Sequence, residues 1–103
     1  MKKPLAWIVN SSSFGRVFPE HLRVLESMCE VKRADQVSSW TGERIGKMCR
    51  GATVVIASVS PDYDDRFFRA MPGLKLLARH GIGFNNVDIN SATRHGVVVT
   101  RVP

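Results

Sequence analysis

RHGIGFNNVD, residues 79–88, places a glycine-rich turn between a predicted strand and a predicted helix. Gly81 and Gly83 can adopt positive φ without a Cβ clash, so successive backbone N–H groups can point into one concavity. That concavity faces the first turn of the following helix, for which Asp88 is the expected N-cap. A carboxylate or a phosphate fits such a place. The stretch therefore predicts an anion-binding loop at a strand–helix junction.

The spacing of this loop resembles the dinucleotide fingerprint Gly-x-Gly-x-x-Gly, but Asn86 occupies the third glycine position. There is also no acidic residue ending a following strand about 20 residues further on, where a ribose would be held. We therefore predict a carboxylate site first and a nucleotide pyrophosphate site second. A glycine turn that only joins a strand to a helix remains an alternative.

Strand and helix patterns alternate along the whole sequence. Helical patterns separate five β-rich runs, which are residues 5–10, 30–34, 53–58, 74–79 and 97–100. This alternation predicts an α/β protein with a flavodoxin-like three-layer fold, in which a five-stranded parallel sheet of order 2-1-3-4-5 has helices on both faces. The second strand contains Lys32 and Arg33, which suits an edge position.

Helix boundaries also have sequence signals. Thr41 is an expected N-cap and Gly51 an expected helix end, and the cluster of Asp62, Asp64 and Asp65 favours the start of the third helix. The fourth helix is expected to run from Asp88 to a stop at Gly96, with Ile89 and Ala92 on its inner side. These carboxylates are better explained by helix starts than by acid–base chemistry.

In such a sheet, ligands bind outside the carboxyl ends of the strands. Three loops are expected to meet there: residues 10–15, 58–61 and 80–86. The first, NSSSFG, could hold a flavin phosphate or be an ordinary turn. Ser58 stands where a phosphoacceptor receiver domain needs an aspartate, which argues against that class. No Ser-His-Asp or Cys-His set can be assigned, so we predict no catalytic residue in this chain.

Composition excludes several other classes. The net charge is +6, but the 15 lysines and arginines are scattered and are not interleaved with aromatic residues, so we predict no nucleic-acid partner. The apolar run of residues 5–9 is too short for a membrane span, so we predict no membrane partner. Cys29 and Cys49 lack metal-site spacing, which predicts no metal and favours core positions in a reducing cytoplasm.

Residues 72–103 resemble the N-terminal part of the D-isomer-specific 2-hydroxyacid dehydrogenases, a family that includes D-lactate, glyoxylate/hydroxypyruvate and phosphoglycerate dehydrogenases. The segments that carry the resemblance are PGLK, LARHGIGFNNVD, Ala92 and GVVVTRVP. Over residues 1–71 only the strand–helix order and the apolar pattern agree. The resemblance implies a flavodoxin-like substrate-binding domain of an NAD-dependent oxidoreductase.

The resemblance also implies site residues. The glycine loop would present the main-chain N–H groups of Ile82 and Gly83 to a substrate carboxylate, with Gly81 shaping the turn. Phosphoglycerate-type members tend to have arginine near Ser58, so a serine there makes a phosphorylated substrate less expected. Arg79 is a candidate compensating cation beside the loop, and the alternative is that it faces solvent.

In the family, the NAD-binding Rossmann domain and the catalytic arginine, glutamate and histidine follow the point where this sequence stops. We therefore expect a single domain over residues 1–103, truncated before the Rossmann domain, which binds no cofactor alone and is inactive alone. The full-length enzyme would use NAD or NADP, act on a small 2-hydroxy or 2-oxo acid, and form a homo-oligomer in the cytoplasm. The alternative is a stand-alone flavodoxin-like module that binds a small carboxylate, a flavin or a protein partner without catalysis.

Overall fold

Strands and helices alternate along the chain, as the sequence pattern predicts. A computed structural model describes residues 3–11, 19–37, 39–58, 62–80 and 86–102. Within them the elements are β1 (Leu5–Val9), α1 (Pro19–Met28), β2 (Glu30–Ala34), α2 (Gly42–Met48), β3 (Ala52–Ala57), α3 (Asp65–Arg69), β4 (Leu76–His80), α4 (Ile89–Arg94) and β5 (Val98–Val102).

The strands form one parallel sheet of order β2-β1-β3-β4-β5, which confirms the predicted topology. β-Branched residues dominate β3 and β5, whose sequences are ATVVIA and VVTRV, and such residues pack well on a pleated surface. β2 lies at one edge, as its charged residues predict. Consequently, the carboxyl ends of β1, β3 and β4 are neighbours at one end of the sheet.

The two faces of the sheet are covered unequally. Helices α2, α3 and α4 pack over one face, where the rings of Tyr63, Phe67 and Phe68 meet edge to face at centroid distances of 4.8 and 5.1 Å. On the other face, Leu22 and Leu25 of α1 pack against a smaller buried cluster. Helices thus lie on both faces, although α1 itself contains no buried residue.

The predicted helix starts are confirmed by their cap geometry. Thr41 Oγ1 accepts a hydrogen bond from the Arg44 N–H at 3.2 Å, and Asp64 Oδ1 accepts one from the Phe67 N–H at 3.1 Å. Each bond satisfies a backbone donor that has no partner inside the helix. The acidic cluster before α3 therefore has a structural explanation.

The predicted ends of α2 and α4 are confirmed as well. Gly51 and Gly96 adopt φ values of +94° and +71°, the left-handed region in which glycine has no Cβ penalty. Each glycine follows its helix closely and turns the chain toward the next strand.

Two expectations about boundaries and faces are wrong. β4 begins at Leu76 rather than at residue 74, because the Leu74 N–H donates to the Met71 carbonyl at 3.1 Å in a turn. Ile89 is 43% exposed and does not line the inner side of α4. The buried side of this helix is formed by the small residues Ser91 and Ala92, which let it approach the core.

Among the described residues, no helix has both the length and the apolar character needed to cross a bilayer.

Candidate functional site

The predicted anion loop begins directly after β4 and ends just before α4. Gly81, Ile82 and Gly83 lie outside the described residues, so their predicted role is untested by the structure. Ser58 and Arg79, the other two predicted site residues, lie at the carboxyl ends of β3 and β4. The residues on both sides of the loop, which end at residue 80 and resume at residue 86, are described.

Arg79 is buried at the base of this loop. It is paired in the sheet with Ala57 of β3 and Arg101 of β5, and it is only 4% exposed. Its Nε donates a hydrogen bond to Asn86 Oδ1 at 3.2 Å. Its Nη1 is buried and has no hydrogen-bond partner in the described part of the chain. Arg79 therefore does not face solvent, which was the alternative to a functional role.

Asn86 connects three segments at this place. Besides accepting from Arg79, its Nδ2 donates to the Ser58 main-chain carbonyl at 2.7 Å. Its own carbonyl accepts the Tyr63 N–H at 2.7 Å. Ser58, a predicted substrate-binding residue, thus contributes its main-chain carbonyl oxygen to this hydrogen-bond network. The buried polar chain Arg79–Asn86–Ser58 is called the loop clamp below.

The residues that follow the loop clamp also form hydrogen bonds with neighbouring segments. Tyr63 and Val87 form an isolated parallel bridge, in which the Asp88 N–H donates to the Tyr63 carbonyl at 2.9 Å. Asp88 then caps α4 by accepting the Ser91 N–H at 3.0 Å and the Ser91 hydroxyl at 2.8 Å. These bonds from Ser91 lower the pKa of Asp88. A carboxylate held ionised in this way serves as a cap and not as a proton donor at neutral pH.

A cavity of about 250 Å³ opens beside the bridge. Its lining comprises Asp62, Tyr63, Asp64, Asn86, Val87 and Asp88. Three carboxylates would repel an anionic substrate, so this cavity does not suit a 2-oxo acid. Among the described residues, no group of three His, Cys, Asp or Glu side chains is arranged to hold a metal.

The first predicted ligand loop, residues 10–15, is linked by hydrogen bonds of Asn10 to the chain at the end of β2. Asn10 has φ +53°, its N–H donates to the Ala34 carbonyl at 2.7 Å, and its Oδ1 accepts the Val37 N–H at 3.1 Å. The Asn10 side chain thus links the end of β1 to the chain after β2. Residues 12–15 of this proposed flavin-phosphate loop lie outside the described residues.

Both cysteines are buried in the core and lie away from the predicted anion loop. Cys29 and Cys49 are free and buried, as expected of core residues. Burial raises the pKa of the Cys49 thiol to about 12, so it is protonated at neutral pH. Burial also raises the pKa of Tyr63. A His–carboxylate contact exists, His95 Nε2 to Asp65 Oδ1 at 3.1 Å, but it links the end of α4 to the start of α3.

Sequence reasoning missed the central role of Asn86. It identified this residue as a departure from the dinucleotide pattern and as part of a turn, but not as the ligand of a buried guanidinium. The available signal was an arginine placed inside an apolar strand pattern, since a charged side chain there needs a buried polar partner.

Comparisons with known proteins agree with this architecture. A family model described as D-isomer specific 2-hydroxyacid dehydrogenase, catalytic domain, matches residues 11–103. A glyoxylate reductase from Aeropyrum pernix is 28% identical over 103 residues, which is 100% of this chain and 29% of that protein. A glyoxylate reductase from Pyrococcus furiosus is 27% identical over 89 residues, which is 85% of this chain and 26% of that protein.

Among solved structures, the apo form of D-lactate dehydrogenase from Escherichia coli is similar, with a TM-score of 0.76 and 26% identity. The match covers 96% of this chain and 31% of that chain. The chain therefore spans less than a third of the length of these three relatives.

Proposed function

Because this chain belongs to the D-isomer-specific 2-hydroxyacid dehydrogenase family, we propose that it is the N-terminal substrate-binding portion of an NAD-dependent member. The observation that carries the proposal is the loop clamp, which fixes both ends of the glycine loop at the carboxyl edge of the sheet. That edge is where parallel α/β sheets bind ligands. The substrate would be a small 2-hydroxy or 2-oxo acid, such as the glyoxylate and D-lactate in the names of the relatives.

In this proposal the chain binds and orients the substrate. The N–H groups of Ile82 and Gly83 bind its carboxylate, and Gly81 gives the backbone the freedom to turn. Arg79 and Ser58 stabilise the loop through their hydrogen bonds to Asn86. Two N–H donors to one carboxylate fix its orientation as well as its position.

The described residues do not suit the dinucleotide itself. The position of the third fingerprint glycine is filled by Asn86, whose amide is occupied by Arg79 and Ser58. In the dinucleotide fold the third glycine permits close packing of the helix against the strand, which a side chain such as that of Asn86 obstructs. We therefore propose that NAD, or NADP, binds to another part of the full-length enzyme, where it would supply the hydride, and that residues 1–103 are inactive alone.

The proposal also includes the cellular compartment and the oligomeric state of the full-length enzyme. A soluble 2-hydroxyacid dehydrogenase would work in the cytoplasm, and the two free buried cysteines suit that reducing compartment. Family enzymes of this architecture would act as homo-oligomers. Glyoxylate and lactate, the acids in the names of the relatives, carry no phosphate, which agrees with Ser58 at the end of β3 in place of an arginine.

A chimeric enzyme tests the proposal. Residues 1–103 replace the matched segment of the Aeropyrum pernix glyoxylate reductase, which aligns with the whole chain. We expect the chimera to oxidise NADH with glyoxylate, pyruvate or hydroxypyruvate, and the chain alone to show no turnover. A folded chimera that binds NADH but reduces none of the three acids would refute the assignment, and NADH oxidation by the chain alone would refute its incompleteness.

A non-catalytic module that binds a small carboxylate is the second candidate, and the same clamp favours it. The chimera separates the two, since a module that evolved without a partner domain would not place the acid against the nicotinamide.

A further inference from the structure

Basic side chains of α2 and α3 meet in a surface groove. The groove has a volume of about 370 Å³ and is lined by Glu43, Lys47, Arg66, Arg69 and Ala70. Three of these side chains are cationic and one is anionic, so the lining carries a net positive charge. Because the cations come from two separate helices, the scattered lysines and arginines of the sequence do not reveal the groove.

Close packing of the two helices places these charges together. A Cβ at Gly46 of α2 would lie 2.7 Å from the Cβ of Ala70, directly after α3, so no side chain separates the two backbones at this point. The four charged lining residues belong to these helices, two to each. The groove is therefore set by the contact between two regular elements.

The cations of the groove are only weakly neutralised by the protein. Lys47 Nζ lies 3.1 Å from Glu43 and Arg69 Nε lies 2.6 Å from Asp65, and each pair is formed within one helix. The Lys47 and Arg69 side chains are 70% and 74% exposed, so water screens both pairs and an added anion can compete for the cations. Arg66 takes part in no ion pair with any residue that the structure describes.

The lining indicates the chemistry of a ligand. Its volume is at the lower end of the range of small-molecule sites, and the described residues that form it include one small apolar side chain and no aromatic ring. Such a lining offers charge and hydrogen-bond donors but little apolar surface. A monocarboxylic acid could neutralise only one of the three cations, whereas linked phosphate groups carry several charges and suit the planar donors of arginine.

We propose that the α2–α3 groove is an accessory anion-binding site that takes a soluble compound with two linked phosphate groups. Lys47 and Arg66 bind the phosphates from opposite helices, and Arg69 adds a third positive charge. Glu43 opposes binding, because its carboxylate competes with the anion for Lys47. None of these residues belongs to the proposed substrate site, so the inference is independent of the proposed function.

The test is a titration of pyrophosphate into the isotope-labelled chain at constant ionic strength, followed by the amide signals of α2 and α3. Inorganic phosphate is titrated in parallel. Arg66→Gln removes one cation of the groove, and Arg23→Gln, at an exposed position of α1 on the other face of the sheet, is its control. Glu43→Gln removes the competing carboxylate, and Glu20→Gln, in the first turn of α1, is its control.

We expect saturable shifts in α2 and α3, with pyrophosphate bound about tenfold more tightly than phosphate by the wild type. Arg66→Gln should bind pyrophosphate about tenfold more weakly than Arg23→Gln, and Glu43→Gln about threefold more tightly than Glu20→Gln. Equal affinity within either pair of variants would show that only the net charge of the chain matters and would overturn the inference. Equal affinity of the wild type for the two anions, or no saturable shift in α2 and α3, would overturn it as well.

Discussion

At the scale of single residues, Asn86 has the largest structural consequence. It holds the Arg79 guanidinium and the Ser58 carbonyl, and it is 8% exposed, so water cannot replace either bond. Asn86→Ala leaves two buried polar groups without this partner, and we expect a loss of about 2–3 kcal/mol in the free energy of unfolding. Urea denaturation measures this free energy of unfolding. Asn90→Ala, at an exposed position of α4, is the control and should change stability by less than about 0.5 kcal/mol.

The stability prediction for Asn86 is contradicted by a simple result. If Asn86→Ala and Asn90→Ala unfold at the same urea concentration, the clamp contributes nothing to the fold.

Gly83→Ala tests the proposed ligand position at the same scale. A methyl group beside the N–H donors obstructs a carboxylate, and we expect the chimera's KM for glyoxylate to rise by about tenfold or more, with a smaller change in kcat. Gly73→Ala is the matched control, because an added Cβ there meets nothing within 4 Å. An unchanged KM in Gly83→Ala would show that the carboxylate binds elsewhere.

The sequence predicts the structural roles of some residues but not of others. The caps Thr41 and Asp64 follow from hydrogen bonds between residues three apart, which the sequence displays directly. The burial of Arg79 depends on Asn86 and Ser58, which come from separate segments and meet only when the sheet has formed. Local sequence patterns contain no information about which distant segments come into contact.

At the scale of elements, the contact between α2 and α3 depends on a glycine. A Cβ at Gly46 would lie 2.7 Å from Ala70 Cβ and 2.8 Å from the Phe67 carbonyl oxygen. Gly46→Ala gains about 1 kcal/mol in helix propensity, but the clash with backbone costs about 1–3 kcal/mol and helix displacement adds to it. We expect net destabilisation by about 1–2 kcal/mol in urea, with Gly73→Ala again as the control. A Gly46→Ala variant more stable than the wild type would contradict this packing.

A second contact between elements depends on pH. Asp65 of α3 accepts from His95, and this bond, partly opposed by burial, lowers the pKa of Asp65 together with the nearby Arg69, His95 and Arg94. A lowered pKa in the folded state means that this contribution is present above the unfolded value of about 4 and is lost as pH falls further.

Asp65→Asn should therefore lower Tm at neutral pH, and its difference from the wild type should shrink as pH falls below about 4. Asp62→Asn, at an exposed position in the same acidic cluster, is the control. The measurement is Tm against pH for the three proteins. A difference that stays constant, or grows, toward acid pH would exclude the ionised Asp65 from the α3–α4 contact.

The elements themselves were largely predictable, because periodicity and caps are local properties. The errors occur where tertiary packing determines an element's boundary or its buried side. Leu74 is buried like a strand residue, yet its N–H closes a turn. Ile89 is apolar but lies on the exposed side of α4, whose small residues Ser91 and Ala92 are buried.

At the scale of the whole molecule, the sheet is incompletely covered. Val98 on the edge strand β5 is 60% exposed, and Val24 and Met28 of α1 are exposed as well. An open edge strand with apolar side chains favours association with another chain. We expect concentration-dependent self-association in light scattering and a reduction of it in Val98→Lys, whereas Glu30→Lys on the opposite edge should have little effect. A monomer at high concentration would contradict this prediction.

The family was predictable from a third of the sequence. Residues 72–103 carry motifs specific enough for the family, while the matched region extends over residues 11–103. Over residues 1–71 the sequence alone indicates only the strand order and the apolar pattern, because many different sequences satisfy the same packing. Substrate identity could not be predicted, since it depends on side chains brought together from separate loops.

The most direct measurement is a glyoxylate titration of the wild-type chain followed by the amide signals of Ile82 and Gly83. We predict saturable shifts concentrated at these two residues and their neighbours, with Asp62 and Asp64 in the acidic cavity unaffected. Saturable shifts confined to another part of the chain, or none at any glyoxylate concentration, would contradict the assignment of this loop as the carboxylate site of a 2-hydroxyacid dehydrogenase.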